Sequence, residues 1–117
     1  MNNEYELILC IVNQGFSEEV MDAAKDCGAR GGTVINARGT AKSEAEALFH
    51  INISPEKEIV MILSKVDIKD DILKAIYTKV GLNSPGQGIA FSVPVDDVVG
   101  LGAKKIDLKN LKEKDKK

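Results

Sequence analysis

The chain of 117 residues is long enough for one compact domain and too short for two. Its 44% apolar and 29% charged residues suit a soluble globular fold, and a net charge of −2 supplies no basic field for nucleic acid. With 4% aromatics and no Trp there is little material for stacking bases, and the longest apolar run, residues 7–12, is far below a membrane span, so a cytoplasmic protein is expected.

YELILCIV (residues 5–12) is nearly continuous in apolar residues and predicts a strand covered on both sides. Ser17 is placed to cap a helix, with Glu18 and Glu19 favouring its positive end. Phe16, Val20, Ala23, Ala24 and Cys27 fall on one face of that helix, and Gly28 stops it. TVINAR (33–38) predicts a short mixed strand ending at Gly39. In the less regular stretch 40–57, Ser43 and Glu46 match a capping box and predict a short helix.

EIVMILS (58–64) predicts a second dense apolar strand. A helix beginning at Asp70 or Asp71 then carries Ile72, Leu73, Ile76 and Val80 on its inner face. After the loop GLNSPGQG (81–88), Ile89, Phe91, Val93 and Val95 alternate with Ala90, Ser92 and Pro94. The pattern is that of a half-buried strand, with the proline at an edge or end.

The order β-α-β-β-α-β is the split plan of a ferredoxin-like sandwich, an α+β fold with a four-stranded antiparallel sheet. The two most apolar strands are the first and third, which that plan makes central. The domain is expected over residues 1–103, followed by a charged, flexible tail over 104–117. Helices cover one sheet face only, so association through the other face is expected.

Candidate chemistry is sparse. There is one histidine, His50, no nucleophile elbow, and no carboxylate pair in apolar surroundings, so catalysis is not called for. Asp96 and Asp97 are adjacent and read as solvated turn residues. Cys10 and Cys27 stand 17 positions apart without a metal-binding spacing and read as free, packed thiols. The glycines are more informative. Gly28, Gly31 and Gly32 precede the second strand, Gly39 ends it, and Gly81, Gly86 and Gly88 lead into the fourth. Free amides in such loops make anion-binding concavities.

GARGGTVINARGT, the loop after it, EIVMIL and GQGIAFSVPVDDVVGL, in this order and spacing, resemble the nitrogen regulatory P-II proteins and their P-II-like relatives from about Glu4 to Leu101. The resemblance implies a homotrimeric, non-enzymatic signalling protein with clefts between subunits that bind adenine nucleotides. A mobile loop then docks on a membrane transporter or a metabolic enzyme. Carried over by position, Thr33 approaches the adenine and Ile62 walls the base pocket. Gly39, with Arg38 and Thr40 beside it, lines the cleft from the loop base. Gly86, Gln87 and Gly88 offer amides to phosphates from the neighbouring subunit.

Four positions where the family carries cations hold Glu56, Ile89, Gly100 and Gly102 here. Arg38 and Lys42 are the nearest substitutes by sequence, and Lys65, Lys104 and Lys105 are further ones. Unpaired phosphate is costly to bury, so the expected effector is an adenine nucleotide with fewer phosphates than ATP, such as ADP or AMP. The 39–57 loop is shorter than usual in the family and has no tyrosine for nucleotidylation. Two other readings are a metal-linked trimer resembling the divalent-ion tolerance proteins, with His50, Cys10 and Cys27 as ligands, and a structural trimer without ligand.

Overall fold

The computed structural model describes residues 4–40, 56–83 and 87–101. Six elements follow one another: β1 (Tyr5–Asn13), α1 (Ser17–Asp26), β2 (Thr33–Arg38), β3 (Glu56–Lys65), α2 (Val66–Val80) and β4 (Gly88–Val95). All neighbouring strands are antiparallel, in the order β2-β3-β1-β4. The two dense apolar strands are therefore central, and Pro94 lies on an edge strand, where a missing N–H costs no ladder bond.

Strand side chains alternate between faces. Ile8, Cys10 and Val12 of β1 and Val60 and Ile62 of β3 point to the helix side and are 0% exposed. They meet Val20, Ala23 and Ala24 of α1 and Ile72, Ile76 and Val80 of α2 in one core cluster. Each large side chain removed from water in this way contributes about 1.5–3 kcal/mol. The expectation that β1 is covered on both sides is corrected, because in a single chain only the helix side is. On the other face Leu7, Leu9 and Ile11 are half-buried, and Ile89, Phe91 and Val93 are exposed. The register runs one row of isoleucines across the whole sheet, Ile35, Ile59, Ile11 and Ile89.

Both helix starts differ from the capping signals. Phe16 occupies the cap position of α1, Ser17 is the first helical residue, and no side chain caps the end. The Phe16 ring packs against the core, so burial sets this boundary. α2 begins at Val66, directly from β3 and ahead of Asp70. The Val66 N–H donates to the Glu4 carbonyl at 2.9 Å, which satisfies one orphan donor, and Ile68 joins the core. Gly81, left-handed at φ 76°, ends α2. The Ser43–Glu46 capping box, His50 and the tail from 104 lie outside the described residues.

Candidate functional site

β2 pairs with β3 only as far as Thr33, which stands opposite Met61, while β3 continues to Lys65. One side of this last stretch of β3 therefore has no strand neighbour. The chain between α1 and β2 folds over the gap. Its path starts with Gly28 at φ +106°, where the Gly28 and Ala29 N–H groups donate to the Lys25 and Ala24 carbonyls at 3.0 Å. It then presses Gly32 against β3. A Cβ there would come within 2.8 Å of the Met61 carbonyl oxygen and 2.9 Å of the Met21 sulfur, so only glycine permits the approach.

The result is a cleft of about 890 Å³, in the size range of small-molecule sites. Its apolar walls are Leu7, Met61, Leu63, Val98 and Leu101. Thr33 and the 28–32 segment form one side, and Glu4, Arg30, Lys65 and Asp67 bring two cations and two carboxylates to it. The polar groups are few and set around an apolar interior, the usual make-up of a small-molecule site.

Thr33 is in this cleft. Ile62 is not. It is 0% exposed on the opposite face of β3, in the core beneath the helices. The alternation of strand side chains gives the wall to its neighbours Met61 and Leu63. Arg38, Gly39 and Thr40 lie at the other end of β2, five residues or about 17 Å from Thr33. Gln87 and Gly88 are at that same end of the sheet but on the far edge, three strand spacings or about 14 Å from β2. Gly86, Lys42, Gly102, Lys104 and Lys105 lie outside the described residues. The cations that reach the cleft are Arg30, which the sequence reading passed over, and Lys65, which it ranked below Arg38. The signal for both was the end of β2 pairing, which only a register supplies.

The loop end of the sheet has its own polar network. The Gly15 N–H donates to Glu58 Oε1 at 2.8 Å, Lys57 Nζ donates to Asn13 Oδ1 at 2.6 Å, and the Gln14 N–H donates to the Glu56 carbonyl at 3.2 Å. Gly88 takes φ +141°, and a Cβ there would strike the Ile11 carbonyl oxygen, so the position suits glycine alone.

The thiols take up different settings. Cys10 is inside the core, where burial pushes its pKa from 9.0 to about 11. Cys27 is half-buried, with its Sγ 3.5 Å from the Asp71 carbonyl. Among the described residues no three His, Cys, Asp or Glu side chains gather as a metal site, and no helix is long and apolar enough to cross a membrane.

None of the curated proteins matches the chain in sequence. Among solved structures it is similar to Arabidopsis thaliana PII bound to citrate, with 23% identity and a TM-score of 0.68 over 89% of this chain and 86% of that one. It is also similar to the B. subtilis GlnK–ATP complex, with 13% identity and a TM-score of 0.68 over 89% of this chain and 94% of that one. At these identities the likeness establishes the fold. The family model "Nitrogen regulatory protein P-II" matches residues 5–105, almost all of the domain. Members of this family are regulatory proteins that act as trimers with small-molecule effectors. The glycine segment folded over the end of β3 and the four-stranded sheet beneath it accordingly belong to a chain that is a member of the nitrogen regulatory protein P-II family.

Proposed function

We infer that this protein is a non-enzymatic, trimeric P-II regulator that senses a lightly charged adenine nucleotide, ADP or AMP, and signals through its 39–57 loop to a transporter or a metabolic enzyme. The observation that carries the reading is the cleft at the end of β2, where an apolar interior walled by Met61 and Leu63 adjoins Thr33, Arg30 and Lys65. The base lies in this apolar end, against Thr33. The phosphates run along the edge of β2 toward Arg38, Gly39 and Thr40, and a neighbouring subunit supplies Gly86, Gln87 and Gly88. Each subunit thus contributes one part of the site.

Charge favours a ligand with few phosphates. At the cleft, two cations are offset by Glu4 and Asp67. At the loop end, Arg38 faces Glu56 across the β2–β3 ladder, Lys57 is engaged by Asn13, and residue 89 is isoleucine. A triphosphate finds little compensating charge in such a place. That the two fold relatives carry citrate and ATP, both anions, agrees with an anionic effector. The apolar open sheet face supports the trimer, and the charged residues 104–117 are read as a tail outside the domain.

The test is thermal unfolding against ATP, ADP, AMP, cyclic adenine nucleotides, citrate and 2-oxoglutarate. A ligand present at 100 times its Kd adds about 2.7 kcal/mol to the folded state. A Tm shift with ADP or AMP that exceeds the shift with ATP supports the reading. If only ATP shifts Tm, the argument from missing cations fails, and if none does, the nucleotide reading fails.

A further inference from the structure

Beyond Thr33 the cleft runs to a mouth where β1, β3 and α2 meet. Tyr5 pairs with Lys65 on the last rung of the β1–β3 ladder, and the Val66 N–H donates to the Glu4 carbonyl at 2.9 Å. That bond sets Glu4, Lys65 and the first turn of α2 side by side, with Asp67 in the turn. Arg30 reaches the same cleft from the 28–32 segment on the other side of the gap. All four of these side chains are exposed, and among the described residues none has an ion pair or a side-chain hydrogen bond. Two cations and two carboxylates therefore stand unpaired around one apolar floor made by Leu7, Met61 and Leu63.

We propose that this mouth binds the ammonium and carboxylate groups of a free α-amino acid whose side chain is bulky and apolar. The inference goes beyond the nucleotide reading and rests on the cleft alone. Charge selects the head group. The cations and carboxylates balance, so an anion drawn to Arg30 and Lys65 also meets Glu4 and Asp67, and a cation meets the converse. A zwitterion finds an opposite charge for each of its own. Its carboxylate suits the forked Arg30 guanidinium, with Lys65 as a second cation. Its ammonium carries three N–H donors and suits the carboxylates of Glu4 and Asp67. The floor selects the side chain. Leu7, Met61 and Leu63 are half-buried, and a cleft of about 890 Å³ leaves room for an aromatic ring against them. Both parts are needed, because pairing at exposed charges is weak by itself and the buried side chain supplies most of the affinity.

Isothermal titration calorimetry on the full chain, with no nucleotide present, tests this. The probes are leucine, methionine, phenylalanine and tryptophan, with glycine as the head group alone. At least one apolar amino acid is expected to bind roughly tenfold or more tightly than glycine. The best of them is then compared with its deaminated and decarboxylated analogues, which for phenylalanine are 3-phenylpropanoate and phenethylamine. Each analogue is expected to bind about tenfold more weakly than its parent. Arg30→Gln and Asp67→Asn are each expected to weaken the amino acid by about three- to tenfold. The unliganded Tm barely moves in either variant, because both side chains are exposed. Arg30→Gln does not weaken the amine analogue, and Asp67→Asn does not weaken the carboxylate analogue. If none of the four apolar amino acids binds, the proposal is overturned. An analogue that binds as tightly as its parent overturns it too, since the cleft is then a site for simple anions or simple cations. Failure of ADP and AMP to bind would defeat the nucleotide reading and leave this result standing.

Discussion

Arg38 stands directly opposite Glu56 on the last rung between β2 and β3, one cation and one carboxylate at the base of the 39–57 loop. Both side chains are exposed and form no ion pair with each other, so the two charges act on one another only across water. An anion arriving at Arg38 meets the nearby Glu56 carboxylate as a like charge. Glu56→Gln is expected to tighten ADP or AMP binding about two- to fivefold at low salt, measured by calorimetry at two ionic strengths. An unchanged Kd would show that the phosphates do not reach Arg38.

Ile62 and Leu63 are adjacent in sequence and on opposite faces of β3, which separates stability from binding. Ile62→Ala opens a cavity in the core and is expected to cost about 2–5 kcal/mol of stability, with the ligand-induced Tm shift retained. Leu63→Ala trims a half-buried cleft wall, so it is expected to cost about 1 kcal/mol of stability and to reduce the ligand shift. The reverse result would move the site to the helix side of the sheet.

Gly31 and Gly32 look alike in the sequence and differ in space. A Cβ on Gly31 meets nothing within 4 Å, whereas one on Gly32 strikes the Met61 carbonyl and the Met21 sulfur. Gly32→Ala is expected to destabilise by about 1–3 kcal/mol. Gly31→Ala is expected to be neutral or to stabilise by up to about 1 kcal/mol, because it restricts only the unfolded chain. Urea denaturation of both variants decides it, and equal losses would mean that the segment does not lie against β3.

Cys10 gives the fold an alkaline limit. Its folded pKa is raised from 9.0 to about 11 by burial, so the neutral thiol is the form the core stabilises. That contribution is complete below pH 9 and is lost as the pH rises through about 11, where the core must accept a thiolate. Stability is expected to fall between pH 9 and 11 in the wild type and to fall less in Cys10→Ala. In native protein at pH 8 a thiol reagent should label Cys27 ahead of Cys10, and rapid labelling of both would contradict the buried position.

Ile89, 58% exposed, ends the row of four isoleucines on the open sheet face. If this face is the surface by which copies assemble, Ile89→Asp places a charge in a dry interface and should dissociate the assembly, leaving a folded monomer. Sedimentation and circular dichroism read the two outcomes. A variant that still assembles would assign the interface elsewhere.

Element types and order could be read from the sequence because they rest on local periodicity. Alternation over Ile89, Phe91, Val93 and Val95 is a strand in any context, and the density of residues 7–12 and 59–63 marks the central strands, since a central strand loses the most water. Helix starts were less legible. The capping signals at Ser17 and Asp70 were local, whereas burial of Phe16 and Ile68 was worth more and moved both boundaries.

The sequence by itself determined the fold class, the family pattern and the glycine-rich segments, all of which depend on spacing along the chain. Only the tertiary structure decided that β2 stops opposite Met61, that the cleft is therefore lined by Met61 and Leu63 and not by Ile62, that Arg30 and Lys65 are the cations beside it, and that Val98 and Leu101 line it as well. Each of these follows from strand register and from one chain segment crossing another. Shifting the register by a single residue exchanges the two faces of a strand while leaving its apolar pattern unchanged.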